Sequence, residues 1–224
     1  MQAVSALWGE LLALPGTARE FRFTVGGTDY GPESEIGHSV EHALFGAFGM
    51  GGAEAAKLTL SLFAENIPRG AEIRRFVRLR NGAQASEWLP AGVFHVSRRV
   101  RDGEKWTLTA YDAMRRADME WEPDQALTFP LSMASAAAEC ARLMGVSLDP
   151  RSRLEPSYTM GWPASGTTVR DALRHIAAAH GGNWTVTPAG QLRLVFLEKL
   201  PERADYLITQ AGEPITFGGV RILV

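Results

Sequence analysis

The chain has 224 residues, 46% of them hydrophobic, and a formal net charge of −2; that is material for one or two cores at roughly 100–200 residues per domain, with no general affinity for nucleic acid or an anionic membrane. A single cysteine, Cys140, excludes an internal disulfide and fits folding in a reducing compartment. No stretch approaches the roughly 18 apolar residues of a membrane span, and the first residues lack the cationic-then-apolar pattern of a secretory signal.

Positive charge is almost all arginine, with lysine only at 57, 105 and 199. Genomic base composition would give this; so would subunit contact, where the planar guanidinium is enriched.

Residues 5–14 place Val4, Leu7, Trp8, Leu11 and Leu12 at three- and four-residue spacing, an amphipathic helix with Ser5 as cap and Pro15-Gly16 as stop. Phe21, Phe23 and Val25 alternate, Gly26-Gly27 turns the chain, and Thr28–Tyr30 returns, which predicts a hairpin. In an extended segment Ile36, His38, Val40, His42 and Leu44 share a face. Glycines 46, 49, 51 and 52 follow without the Lys-Ser/Thr or βαβ setting of a phosphate cradle, so a loop that orders against a partner is expected.

Residues 57–112 read as an antiparallel meander. Leu58, Leu60 and Leu62 alternate with Thr59 and Ser61; Ile73, Val77 and Leu79 lie opposite Arg74, Phe76 and Arg78; residues 92–97 and 106–110 repeat the period of two. Gly and Pro punctuate each gap. Four short strands with tight connections predict a sandwich or a small closed barrel, and with no catalytic constellation among them the meander reads as a scaffold.

Helices follow at 132–144, capped by Ser132 with Met133, Ala136, Ala137, Cys140, Leu143 and Met144 inward, and at 168–180, with Val169, Leu173, Ile176 and Ala177 inward. Cys140 lies on the packed stripe and reads as core. A hairpin is predicted at 183–187 and 191–196. Pro201–Asp205 reads as a linker, and residues 214–224 as one or two new strands with no closing partner, as in a fragment of a longer chain or a strand lent to a neighbour.

Chemistry is sparse. His38-Ser-Val-Glu41-His42 spells the zinc-hydrolase pattern H-x-x-E-H. That chemistry wants a helix, whereas the alternation favours a strand, and no third ligand stands out; solvated or subunit-facing histidines are the plainer reading. His95 sits on a strand, His175 and His180 on a helix, and no serine or cysteine occupies a G-x-S-x-G elbow. Asp112 reads as a turn cap. No catalytic, cofactor-binding or metal residue is assigned, and no cofactor or small-molecule substrate is expected.

One face does suggest binding. Arg74, Phe76, Arg78 and Arg80 alternate on one strand, Arg98, Arg99 and Arg101 follow on the next, and residues 20–54 are acidic, with Glu33, Glu35 and Glu41 among them. Opposite patches in a near-neutral chain point to self-association, one copy's acidic loop on the next copy's arginine strand. A solvated face, or base stacking as in a single-stranded nucleic-acid-binding barrel, are the alternatives.

Ile67-Pro-Arg-Gly-Ala-Glu-Ile73, Glu87-Trp-Leu-Pro-Ala-Gly-Val-Phe94, Trp106-Thr-Leu-Thr-Ala-Tyr-Asp112 and Thr168–Trp184 with Gly190-Gln-Leu-Arg-Leu194 resemble phage and prophage tail hub proteins, the baseplate or tail-tip hubs of the myovirus type. The likeness covers most of residues 18–224 and rests on turn and packing signatures. It implies a mainly-β α+β chain: an N-terminal helix (1–17), a first β-barrel tube domain (18–113), an inserted α+β domain (114–200), and a linker with the first strands of a second, incomplete barrel (201–224). It also implies a structural, non-enzymatic hub in the virion tail, made in the bacterial cytoplasm. There a homotrimer ring would join the tail tube to other tail-tip or baseplate proteins, with no membrane of its own.

Overall fold

The computed structural model describes residues 4–44 and 49–196, together with the backbone of Thr216–Phe217 and Val220–Arg221. Helix α1 (Ala6–Ala13) starts where Ser5 accepts the Trp8 amide. Its apolar stripe is only partly used: Leu11 is fully buried, while Val4 and Leu12 are exposed. The helix packs against β5 (Glu72–Asn81), and Glu87 anchors its start by accepting the Ser5 amide and hydroxyl at 2.7 Å each.

Alternation produces the sheet. β1 (Ala18–Val25), β2 (Thr28–Tyr30), β3 (Glu35–Glu41), β4 (Lys57–Phe63), β6 (Gln84–Ala85), β7 (Leu89–Asp102) and β8 (Lys105–Tyr111) join β5 in the order β2-β1-β5-β7-β8-β4-β3, with β6 beside β5. Every pairing is antiparallel. One face buries Phe23, Leu58, Leu60, Leu62, Ile73, Phe94 and Leu108, each contributing roughly 1.5–3 kcal/mol relative to exposure.

The fold is mainly-β α+β, but the small β-barrel expected from the meander is not there: among the described residues β2 and β3 end the sheet, no ladder joins them, and the sheet is open. Among the described residues towards the C-terminus, β13 (Thr216–Phe217) and β14 (Val220–Arg221) form a two-stranded hairpin and no closed sheet; the linker 201–205 lies outside the described residues. Three register shifts bend the sheet instead. They leave Ile36, Ala91 and Ser97 without ladder partners, and such bulges add local twist. At the second, Gly92 has φ +147°, and a Cβ there would lie 2.5 Å from the Phe94 ring, so only glycine fits.

The second layer begins at Asp112, whose carboxylate accepts the Met114 amide and caps a 3-10 helix, Ala113–Asp118. β9 (Leu131–Ser132) runs into α2 (Met133–Leu143) with Ser132 as cap and pairs with β10 (Thr159–Met160). α3 (Val169–His180) opens with a reciprocal Thr168–Asp171 capping box and stops at Gly181 in the left-handed conformation. β11 (Gly182–Val186) and β12 (Leu192–Phe196) close the hairpin. Met114, Ala137, Cys140, Leu173, Ile176, Trp184 and Leu194 share one buried cluster.

Candidate assembly surface

The outer face of β1 and β5 is a set of stacked cations. Ladder register puts Arg22 opposite Phe76 and Glu20 opposite Arg78. The Arg22 guanidinium lies 4.8 Å from the Phe76 ring and 5.2 Å from Trp88, and Arg78 lies 4.4 Å from Trp88. Glu20 receives Arg78 at 2.7 Å and Arg80 at 3.1 Å. Partial burial pushes the Glu20 carboxyl up, but the two arginines outweigh it and hold the group below its ordinary value. Arg74 pairs with Glu72 at 2.6 Å. Arg99 donates to the Ile67 carbonyl and stacks on Trp106. Of the basic set singled out in the sequence, Arg98 and Arg74 therefore present the most open charge. A row of free cations with an open aromatic, which base stacking needs, is not what Phe76, Arg78 and Arg80 form.

The acidic set divides in the same way. Glu33 is exposed, and Glu41 meets Lys57 at 3.4 Å with most of its side chain in solvent. Glu35 is turned inward, 2.5 Å from His38 Nδ1. His38 Nε2 stands 3.2 Å from Arg75, and its ring packs edge-on against Phe21 (4.3 Å) and Phe23 (5.1 Å). These contacts draw β3 against the far strand β1, across the gap where the ladder is missing. Arg75 shares the inward face of β5 with Ile73; it lies over the Phe21 ring at 4.5 Å, and burial lowers its pKa against the pull of Glu35.

This arrangement dissolves the hydrolase motif. In an extended segment residues four apart are about 13 Å apart, too far for one ion. His42 instead reaches Thr185 at 3.3 Å, and burial lowers its pKa. Among the described residues no group of three or more His, Cys, Asp or Glu could hold a metal. Cys140 is buried and its thiol is pushed up to about 12, by desolvation first and then Glu139, so it is inert as a nucleophile. His175 is exposed; His180 accepts the Glu155 amide at 2.9 Å and lies 2.8 Å from the Ile176 carbonyl.

Sequence reasoning missed Asn183, which the spelling Asn-Trp-Thr presents only as a glycosylation sequon. Its amide is buried. It accepts from Gly52 N at 2.6 Å and donates to the carbonyls of Leu44 (2.7 Å) and Gly49 (2.8 Å). Gly51 N and Gly52 O also bond Gly182 and Trp184. Gly49, Gly51 and Gly52 thus order against β11 of the same chain, while Gly46 lies outside the described residues. The available signal was a polar residue just after a helix stop and just before a buried tryptophan. Arg170 was missed as well: it joins Asp118 (2.6 Å), the Met114 carbonyl (2.9 Å) and the Ala53 carbonyl.

No family model and no curated protein matches the chain. Among solved structures it is similar to the 43 kDa tail protein of prophage MuSo2 from Shewanella oneidensis, with TM-score 0.54 and 16% identity over 89% of this chain and 61% of that one. It is also similar to the tail protein from Neisseria meningitidis MC58, with TM-score 0.53 and 15% identity over 88% of this chain and 53% of that one. At such identities the likeness is one of fold, and the chain spans little more than half the length of these neighbours.

Proposed function

We propose that the chain is a structural, non-catalytic component of the tail of a phage or prophage-derived particle: a hub whose copies assemble as a ring, a homotrimer, between the tail tube and the distal baseplate or tip proteins. The observation that carries this reading is the fold likeness to two tail proteins over almost nine-tenths of the chain. The mix of open charges supports it. Arg98 is exposed, and Arg74, though paired with Glu72, keeps most of its side chain in solvent; Glu33, in the turn before β3, and Glu41, beside Lys57, are likewise exposed, and opposite open charges of this kind are what an interface between identical copies needs. Arg78, Arg80, Arg99, Phe76 and Glu35 serve that interface by holding its shape, since their polar groups or rings are already engaged within the chain.

Mass measurement in solution, alone and with tail-tube protein, tests the assembly. The expected species is three times 24.4 kDa, formed alone or on the tube. Glu41→Lys should weaken it and Arg98→Glu in the same chain should restore part of it. A monomer under both conditions overturns the ring.

A further inference from the structure

Between the sheet and the second layer lies a cleft of about 480 Å³, within the roughly 300–1,000 Å³ of ligand-sized concavities. Phe76, Pro90 and Val93 form one wall; Val146, Val186 and Pro188 form the other. An arginine stands on each side. Arg74, from β5, is paired with Glu72 yet keeps 61% of its side chain in solvent. Arg116, from the 3-10 helix, donates to the Met144 carbonyl at 2.9 Å and reaches His95 Nε2 at 2.9 Å. It forms no ion pair among the described residues. An arginine only donates, so His95 accepts through Nε2 and adds no charge there. Burial first, and then the Arg116 charge, holds the imidazole below its ordinary pKa against the opposing pull of Glu72.

The cleft is therefore partly apolar along these walls and is lined as well by Arg75 and Glu72; Glu72 is taken up by Arg74, and Arg116 and Arg75 form no ion pair among the described residues. A guanidinium is a planar fork matched to carboxylate. We infer that this cleft receives an extended acidic peptide segment of a partner protein, its carboxylate on Arg116 with Arg74 alongside and its apolar neighbours against Val93 and Pro188. Charge complementarity selects that occupant. An inorganic anion would satisfy Arg116 and leave both apolar walls uncovered; an apolar segment would leave the charge unmatched. The inference stands whether or not the chain belongs to a tail.

The test is a titration of the uniformly 15N-labelled full chain, read at the amides of Gly92, Gly145 and Gly190, which line the cleft. The probes are an end-blocked Ala-Glu-Leu-Asp-Val peptide, its Gln/Asn counterpart, and inorganic phosphate. The acidic peptide should shift all three amides saturably. The Gln/Asn peptide on the native chain, and the acidic peptide on Arg74→Glu, should each bind about tenfold or more weakly, while Arg98→Glu, outside the cleft, leaves binding as it was. Absent shifts, equal binding of the neutral peptide, an equal loss in Arg98→Glu, or phosphate moving the same amides at the same concentrations each overturns the inference.

Discussion

The sheet and the second layer hold their polar groups with different emphasis. In the sheet, charge is laid against rings: Arg75 over Phe21, Arg22 and Arg78 both against Trp88, His38 against two phenylalanines. In the second layer, polar side chains are spent on backbone. Asn183 holds three main-chain groups, Arg170 two carbonyls, and the Trp184 indole donates to the Leu173 carbonyl at 2.8 Å. Stacked cations keep their charge and tolerate small shifts; backbone ties fix a chain path and fail abruptly when cut. The sheet is therefore suited to presenting a charged surface, and the second layer to fixing how the loops lie on it.

The sharpest way to break this contrast is Asn183→Ala. Three main-chain groups lose their partner, which costs roughly 2–4 kcal/mol at 1–3 kcal/mol per group with some rehydration. Denaturant unfolding checks it, and a loss below about 1 kcal/mol would show that the glycine-rich stretch is held by something else.

Next comes Asp112, at the join of the two regions. Burial, the largest influence, raises its carboxyl from 3.8 to about 6, against the Ala56, Met114 and Arg170 contacts that favour the charged form. A group that holds its proton more tightly when folded contributes stability that is complete below the unfolded value and lost as pH rises through about 6, a swing of up to about 3 kcal/mol. Asp112→Asn keeps an acceptor for the Met114 amide and removes the swing. The native chain should lose stability relative to the variant between about pH 4 and 6, whereas parallel curves would mean the carboxylate is charged at no cost. Asp149 runs the other way: Arg151 holds it down to about 2, so its contribution is present above the unfolded value and lost as pH falls towards 2.

The smallest expected effect is at the sheet. His38→Ala removes two ring contacts and the hydrogen-bond partner of Glu35 and Arg75, for about 1–2 kcal/mol. A loss matching that of Asn183→Ala would erase the distinction between stacked and tied polar groups.

What the sequence disclosed follows the range of the physics. α2 and α3 were legible, α2 with its cap Ser132 and α3 with its start narrowed to Thr167 or Thr168, of which Thr168 is the cap, because such signals act within one turn of themselves. The strand positions were legible because alternation is local. Closure was not: whether β3 meets β2 depends on the bends at Ile36, Ala91 and Ser97, which no two-residue period reveals. The arginine and glutamate sets were visible as composition, yet which of them remain open is decided across strands. Glu20 consumes Arg78 and Arg80 from 58 and 60 residues away. Arg116, central to the cleft, carried no signal at all, since its setting comes from residues 95 and 144.

The missing ladder between the first and last strands has a mechanical consequence. A hydrogen-bonded join can slip only in two-residue steps, each breaking a row of bonds. An imidazole wedged among phenyl rings slides continuously. The spacing between those two edges can therefore change by small amounts while every strand keeps its hydrogen-bonded neighbours.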